Sequence, residues 1–272
     1  MCGKMTVQEF FSRHSVFTLD EFRDFLKSEG LSSYKRPDLL LSYYEKENRL
    51  LRIKRGLYAY VPVGFNAGSF SPDVFLIASK AAPDSILAYH TALELHGFNY
   101  SLFFRLTFFT QYAVRDFVFK DHSFVGIRSP RAILEAETDD LGIVTMERSG
   151  INIRTTNLER TVVDVLDRPH YCGGWEEIWR SLETIPYLNL DKIIHYALLY
   201  ENSTLAAKVG FFLEQHSEQL MVEDAALEKL REHRPKRKHY MDRGNREGGR
   251  LVTAWNLVVP GYVLEKSWEE PQ

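Results

Sequence analysis

The amino-acid sequence predicts an α+β protein, in which three short helices and a basic hairpin precede a larger mixed α/β domain with a helical carboxy-terminal part. Three observations support this prediction. Apolar residues recur at helical spacing near the beginning and over most of the second half, and they alternate with polar residues in the middle. Segments rich in glycine, proline, asparagine and serine separate these regions. Together with the length of 272 residues, this pattern predicts at least two folded parts.

The composition is that of a folded protein whose positive charge is concentrated in two places. Hydrophobic residues make up 44% of the chain and charged residues 26%, with a formal net charge of −3. Residues 31–60 carry seven lysines and arginines against three acidic residues, a net charge of +4. Residues 231–250 carry eight against three, a net charge of +5. Clustered positive charge of this kind favours contact with a polyanion.

The cysteine content and the hydropathy pattern favour a cytoplasmic protein. Cys2 and Cys172 cannot build a disulfide framework, and no CxxC spacing exists. No apolar signal segment precedes the first helical pattern, and no apolar run approaches membrane-spanning length. We therefore expect a cytoplasmic protein without a membrane partner.

The first two predicted helices are marked by capping residues and by apolar stripes. In "TVQEFFSRH", apolar side chains recur at helical spacing behind Thr6, which can cap the helix. In "TLDEFRDFLKSEG", Thr18 and Glu21 form a capping box and Gly30 ends the helix. Both segments predict short amphipathic helices.

A third helix and a basic hairpin follow. The apolar residues of "DLLLSYYEKENR" lie roughly on one side of a helix, and Pro37 suits its first turn. In "LLRIKRGLYAYVP", two apolar runs flank a turn for which Gly56 supplies a positive φ. Three short helices followed by a two-stranded hairpin are the arrangement of a winged helix-turn-helix. In that arrangement the third helix enters the major groove of DNA, and the hairpin, or wing, contacts the flanking backbone.

The predicted DNA-binding residues lie around the third helix and in the wing. Arg52, Lys54 and Arg55 are expected to meet phosphates, and exposed residues near the start of the third helix are expected to read bases. The full predicted set is Ser33, Tyr34, Lys35, Arg36, Arg49, Arg52, Lys54, Arg55 and Tyr58. The alternative is that the hairpin merely displays solubilising lysines and arginines.

The middle of the chain predicts a mixed sheet. The glycine- and serine-rich residues 64–72 predict a linker. Two helical segments follow, "PDVFLIASKAA" and "DSILAYHTALELHG", the second beginning at Asp84 or Ser85 and ending at Gly97. The five candidate strands are "LFFRLTFFTQ", "VRDFVFKD", "HSFVGIRS", "LGIVTMER" and "INIRTTN".

The second half is predicted to be mostly helical. Five segments show three- and four-residue apolar spacing, namely "NLERTVVDVLDRP", "GWEEIWRSLETI", "LDKIIHYALLY", "STLAAKVGFFLEQH" and "VEDAALEKLREH". The tail returns to alternation and could add an edge strand to the sheet. We predict one domain over residues 1–63 and a second over residues 64–272. The second domain is expected to comprise a mixed sheet over residues 72–155, a helical part over residues 156–235 and a terminal strand region over residues 250–272.

The sequence contains no recognisable catalytic or metal-binding motif. Zinc-protease, P-loop, serine-hydrolase and dinucleotide-binding patterns are all missing. His90 and His96, six residues apart, point to different sides of one predicted helix and are expected to be surface groups or hydrogen-bonded helix residues. A Mg²⁺-dependent nuclease would need acidic residues of the middle region, and the candidates are Asp116, Glu135 and Glu137 with Lys120. We favour solvated side chains there, and we expect no catalysis, metal or cofactor.

Three further features have two interpretations each. Arg160 and Asp164, four residues apart on a helix, predict a local ion pair or internal clamp rather than a partner surface. Trp175, after the glycines of "CGGW", is either an interface anchor or part of the packing at a helix start. The second basic segment is either a solvated loop or a secondary nucleic-acid surface formed by Arg234, Lys236, Arg237, Lys238, Arg243, Arg246 and Arg250.

Several segments, taken in order, resemble a known family. "RIKRGLYAYVP", "AYHTALELHGF", "TTNLERTVVDVLDRP", "GGWEEIWRSL" and the final "WNLVVPGYVLEKSW" are similar to segments of AbiEi-type antitoxins, which belong to bacterial type IV toxin–antitoxin and abortive-infection systems. The resemblance runs over most of the chain. It rests on the order of the segments, because no single motif is sharp.

The resemblance implies a function in phage defence. It implies a winged helix that binds inverted repeats in double-stranded operator DNA and represses its own operon, followed by a larger domain that carries antitoxicity. The implied partner is a nucleotidyltransferase-like toxin encoded by the adjacent gene. The antitoxin counters this toxin without forming a stable complex with it. Carried over to this chain, Arg52, Lys54, Arg55 and Gly56 would form the wing, and Tyr34, Lys35 and Arg36 would open the recognition helix.

Two other classes of function stay open from the sequence. One is a metal-dependent nuclease that uses the central sheet. The other is a non-enzymatic protein-interaction module whose winged helix contacts protein. The leading hypothesis is a DNA-binding autorepressor and antitoxin without catalysis of its own.

Overall fold

The computed structural model describes residues 5–31, 36–136, 138, 141–244 and 248–269, without the side chain of residue 269. The chain divides into two compact units. The first consists of the described residues within 1–87, 104–127 and 145–154, and the second of those within 88–103, 128–144 and 155–272. The domain boundary at residue 63 stays a prediction. Among the described residues, no helix is long and apolar enough to cross a membrane.

The first unit begins with the predicted three helices and hairpin, and the winged helix-turn-helix is confirmed. The elements are α1 (Val7–Arg13), β1 (Val16–Thr18), α2 (Leu19–Ser28), α3 (Pro37–Lys46), β2 (Leu50–Lys54) and β3 (Leu57–Tyr60). The short strand β1 was not predicted, because three residues carry too little pattern. It pairs with β3 in antiparallel register and completes a sheet with the order β1-β3-β2.

Local capping and an aromatic core explain why this segment folds as it does. Thr6 and Thr18 each form the two reciprocal hydrogen bonds of a capping box, with the glutamates three residues later. The apolar faces of the helices meet in a core dominated by five buried phenylalanines, Phe10, Phe11, Phe17, Phe22 and Phe25. Their rings contact one another in stacked, tilted and edge-on arrangements.

A six-stranded mixed sheet contains all five strands predicted for the middle of the chain. The helices and strands of this middle region are α4 (Val74–Ser79), β4 (Ile86–Leu87), α5 (His90–His96), β5 (Arg105–Phe109), β6 (Phe117–Phe119), β7 (His122–Ile127), α6 (Arg131–Leu134), β8 (Ile143–Arg148) and β9 (Ile151–Thr156). The strand order is β6-β7-β5-β4-β9-β8. Strands β5 and β7 are parallel, and β6 and β4 pair antiparallel to β7 and β5 respectively.

The start predicted for the second helix of this region is wrong. Ile86 and Leu87 form strand β4, and the helix begins only at His90. Tyr89 has a φ of 56°, outside the helical range, so the chain must change direction between strand and helix. A short apolar run such as "ILAY" fits a strand and a helix equally well, which is why periodicity did not find the boundary.

The second unit contains the five helices predicted for the second half. Besides α5 and α6, this unit contains α7 (Leu158–Asp167), α8 (Trp175–Glu183), α9 (Leu190–Leu199), α10 (Ser203–Gln215), α11 (Asp224–Glu232), β10 (His239–Tyr240), β11 (Arg250–Val252), β12 (Leu257–Val259) and α12 (Gly261–Leu264). The tail does not add an edge to the large sheet. It forms a separate three-stranded sheet with the order β10-β12-β11, because β12 pairs with both of its neighbours.

Buried polar pairs hold the second unit together. The guanidinium Nε of Arg160 donates to Asp164 at 2.9 Å, and both side chains are buried, which confirms the internal clamp. His90 contacts the carboxylate of Glu177 at 3.1 Å, so the prediction of a hydrogen-bonded helix histidine is confirmed. Trp175 is buried beside Trp179, and it therefore packs the start of α8 rather than anchoring an interface.

Candidate nucleic-acid interface

The recognition helix α3 has one face in the core and one face in solvent. Leu41 is fully buried, and Leu40 and Tyr44 pack against the phenylalanine core. The opposite face is formed by side chains at spacings of three and four, Leu39, Ser42, Tyr43 and Lys46. Leu39 and Tyr43 are 54% and 56% exposed, although they are large and apolar or aromatic.

These outward residues are not among the DNA-binding residues predicted from the sequence. The prediction placed base readout at the start of the helix and did not extend it along the outer face. The sequence could have indicated them, because the helical period places positions 39, 42, 43 and 46 on the side of α3 opposite the buried apolar stripe.

The wing is a short hairpin. Its strands β2 and β3 are joined by Arg55 and Gly56 alone, and Gly56 has a φ of +79°, as the turn requires. Arg52 lies opposite Tyr58 and Lys54 opposite Leu57, with a shift of register in between. The carbonyl of Gly56 accepts a hydrogen bond from the N–H of Leu19 at 2.9 Å, which ties the tip of the wing to the start of α2.

Four of the predicted DNA-binding residues line one groove of the first unit. The groove has a volume of about 1010 Å³ and is formed by the wing, the starts of α2 and α3 and residues 79–83. The residues of the predicted set that line it are Arg52, Lys54, Arg55 and Tyr58. The first turn of α3 contributes Asp38, so the wing and the recognition helix border the same space.

The cations of this groove differ in their partners. Arg23 is paired with Asp20 at 3.0 Å, and Lys80 is paired with Glu21. By contrast, Arg52 and Arg55 are exposed and form neither an ion pair nor a hydrogen bond within the described part of the chain. Two uncompensated guanidinium groups on one short hairpin form a site that suits a phosphate backbone.

Lys54 is directed towards the protein. Its ammonium donates to the carbonyl of Ala81 at 2.7 Å and lies 4.6 Å from the centre of the Phe117 ring. Partial burial lowers the pKa of Lys54. Lys54 therefore attaches the wing to the segment after α4 and to β6 of the same unit, and its charge interacts with them.

The other predicted residues lie elsewhere or have different surroundings. Burial raises the pKa of Tyr58, and the neighbouring Arg52 opposes that rise. Arg36 is exposed at the cap of α3 and contacts Asp38 at 3.5 Å. Arg49, at the far end of β2, lines a different hollow, and its guanidinium lies 5.9 Å from the centre of the Tyr44 ring. Ser33, Tyr34 and Lys35 lie outside the described residues.

The secondary basic surface is mostly exposed and partly neutralised. Lys236, Arg237, Lys238, Arg243 and Arg250 are exposed, and Arg234 is half-buried. Arg250 is paired with Glu265 at 2.5 Å. Arg246 lies outside the described residues.

The described residues considered for a nuclease are exposed or already bonded to other groups. Asp116 is exposed, Lys120 donates to backbone carbonyls of residues 68 and 70, and Glu135 is paired with Arg131 at 2.7 Å. Glu137 lies outside the described residues. Within the part of the chain that the structure describes, no group of three or more histidine, cysteine or acidic side chains could hold a metal ion.

Comparison with known proteins finds a family match in the amino-terminal part of the chain and a solved structure of similar fold. Residues 5–61 match the family described as transcriptional regulator, AbiEi antitoxin, which confirms the resemblance inferred from the sequence. The crystal structure of the RV2827C protein from Mycobacterium tuberculosis is similar over 97% of this chain and 94% of that chain, with a TM-score of 0.58. At 16% sequence identity, this likeness shows the fold alone. No curated protein matches the sequence.

Proposed function

We propose that this chain, whose residues 5–61 are those of an AbiEi-type antitoxin and transcriptional regulator, binds operator DNA and represses its own operon. One observation supports the proposal above the others. The uncompensated Arg52 and Arg55 of the wing border the same groove as the first turn of α3, the recognition helix. In a winged helix-turn-helix, this arrangement lets the helix enter the major groove while the wing contacts the flanking phosphates.

Two sets of residues have different functions in this proposal, one in affinity and one in sequence preference. Arg52 and Arg55 supply contacts to phosphates, which give affinity without sequence preference. The outward face of α3, with Ser42, Tyr43 and Lys46, reads the base edges, assisted by Arg36 at the cap. Lys54 holds the wing in place, since its ammonium is already bound to Ala81.

The salt dependence of binding tests the wing. We expect the double variant Arg52→Ala/Arg55→Ala to bind a duplex from its own promoter more weakly, and random duplexes more weakly in the same proportion. Each lost phosphate contact lowers the slope of log affinity against log salt by about 0.9. Fluorescence anisotropy over a series of salt concentrations measures both quantities.

Arg13→Ala provides the matched control, because Arg13 is an exposed arginine in the last turn of α1 and is not among the residues that line the groove. It should keep the slope of the unaltered protein. An unchanged slope in the double variant would show that the wing does not touch phosphates.

We further propose that the remainder of the chain carries the antitoxin activity against a nucleotidyltransferase-like toxin, in the cytoplasm and without a catalytic step or cofactor. The family described for residues 5–61 supports the antitoxin function. On this proposal the operator contains inverted repeats, each bound by one winged helix, and the toxin is opposed without a stable complex.

A further inference from the structure

A cavity in the second unit has the features of a ligand site. It has a volume of about 620 Å³, within the range of small-molecule sites. Its walls are the end of α7, the start of α8, the first half of α10 and the residues around β10. All of these elements belong to one unit, and none of them contributes to the candidate DNA interface.

The central feature of the cavity is the buried Lys208 of α10. Only 8% of Lys208 is exposed, and its ammonium donates to the carbonyl of Leu166 at 3.1 Å. That bond uses one of three N–H donors, and no other acceptor is bound to this group among the described residues. Burial lowers the pKa of Lys208 to about 8, although the carboxylates of Asp167 and Asp242 oppose this change.

A second buried donor lines the same cavity. Trp175 is 2% exposed, and its indole Nε1 has no hydrogen-bond partner within the described part of the chain. Buried donors of this kind are costly when unpaired, and they are common where a ligand supplies the acceptor. The ammonium of Lys208 lies 5.1 Å from the centre of the Trp175 ring, so both groups belong to one cluster.

The charges around the cavity favour an anion. Arg168 and Arg243 also line it, and with Lys208 they give three cations against the carboxylates of Asp167 and Asp242. Both carboxylates have partners. Asp167 contacts Arg168 at 3.4 Å, and Asp242 accepts the backbone N–H of Gly244 at 2.7 Å.

The start of α8 adds to the positive potential. Gly174 caps this nine-residue helix without a side-chain hydrogen bond, and Gly174 and Trp175 line the cavity, so the amino-terminal end of α8 borders it. The two glutamates of the first turn are engaged elsewhere, Glu176 with Arg180 at 3.0 Å and Glu177 with His90.

We propose that this cavity binds a phosphate ester of a small organic molecule. Lys208, Arg168 and the start of α8 would bind the phosphate, and Tyr240 and Tyr262 would contact a planar or apolar remainder. Arginine and lysine together match phosphate in charge and geometry. A carboxylate alone would fill little of the cavity, whereas aromatic walls suit a ring. The inference is independent of the DNA-binding proposal.

Titration calorimetry of the full chain tests the inference with four probes, inorganic phosphate, adenosine 5′-monophosphate, adenosine and acetate. We expect adenosine 5′-monophosphate to bind more tightly than phosphate, and adenosine and acetate to bind at least about tenfold more weakly than adenosine 5′-monophosphate. Lys208→Met should weaken the binding of adenosine 5′-monophosphate by about tenfold or more, because a charge-assisted hydrogen bond is worth about 1.5–3 kcal/mol. Lys192→Met, an exposed lysine of α9, is the matched control.

The variant at position 208 is expected to fold. Methionine keeps most of the buried side-chain volume, so the melting temperature should stay close to that of the unaltered chain. If Lys208→Met does not fold, Arg243→Gln is tested instead. Arg243 is exposed and lines the cavity, and its substitution should weaken the binding of adenosine 5′-monophosphate severalfold. The inference is overturned if neither phosphate nor its ester binds at millimolar concentration, if adenosine or acetate binds as well as the ester, or if the variants bind as the unaltered chain does. The same variants should bind promoter DNA as tightly as the unaltered chain does. That result would show that ligand binding in the cavity and DNA binding are independent of each other.

Discussion

Glu177 connects three segments of the second unit through a single carboxylate. It accepts hydrogen bonds from the ring of His90 at 3.1 Å, the N–H of Ser101 at 2.9 Å and the hydroxyl of Ser181 at 3.2 Å. Burial acts to raise the pKa of Glu177, but the hydrogen bonds from His90 and Ser101 outweigh it and hold this pKa at about 2. The ring of His90 also stacks on Phe103, at 3.7 Å between ring centres.

This carboxylate predicts an acid-sensitive stability. The folded-state pKa of Glu177 lies below its ordinary value of 4.5, so its contribution to stability is complete above that value and is lost as the pH falls towards 2. We expect a loss of about 1 kcal/mol from this group between about pH 6 and about pH 3.5. Urea unfolding of Glu177→Gln should show lower stability at pH 6 and a flatter dependence over this interval. Glu218→Gln, at an exposed position, should show the same dependence of stability on pH as the unaltered chain. If Glu177→Gln also shows that dependence, Glu177 is not the source of the acid sensitivity.

Single residues also show the limit of the sequence pattern. Arg52, Lys54 and Arg55 look equivalent in "RIKRG", and alternation puts Arg52 and Lys54 on the same face of a strand. The register shift between them breaks this relation, and the partners of Lys54, Ala81 and Phe117, are remote in the chain. Local spacing carries no information about such partners.

At the scale of elements, α3 has a buried face and an exposed face, and the proposal assigns base readout to the exposed face. We expect Tyr43→Ala to change the preference for promoter over scrambled duplex by about 1–3 kcal/mol, the usual value of one specific base contact. The effect on folding should be small, because the side chain is mostly exposed. Competition between the two duplexes measures the preference.

Tyr112→Ala is the matched control for this prediction. Tyr112 is 57% exposed and lies outside the winged helix. If both variants keep the preference of the unaltered chain, the outer face of α3 does not read bases.

The elements whose ends carry local signals could be predicted from the sequence. The cap at Thr6 and the capping box at Thr18 each mark the start of a helix that the structure contains. The tail was harder, because alternation identifies a strand but not its neighbour. Whether β12 pairs with the large sheet or with β10 and β11 depends on contacts that sequence spacing does not contain.

At the scale of the whole molecule, repression and antitoxicity should be separable. We expect co-expression of the full chain to restore growth of cells that express the toxin gene from the same operon. Arg52→Ala/Arg55→Ala should restore growth equally well from an independent promoter while losing repression of a reporter, because the proposal assigns antitoxicity to residues beyond the wing. Growth curves and reporter activity in the same strain measure both functions. Loss of rescue together with loss of repression would show that the toxin is controlled only through transcription.

The bond between Lys54 and Ala81 has a consequence for experiments with fragments. A polypeptide that stopped at residue 63 would retain the three helices and the hairpin, but it would lack Ala81 and Phe117, which hold Lys54, and Lys80, which pairs with Glu21. The hairpin would then gain conformational freedom that it must give up on meeting DNA, at a cost in affinity. If the proposed function is right, a fragment cut at residue 63 should bind DNA more weakly than the intact chain.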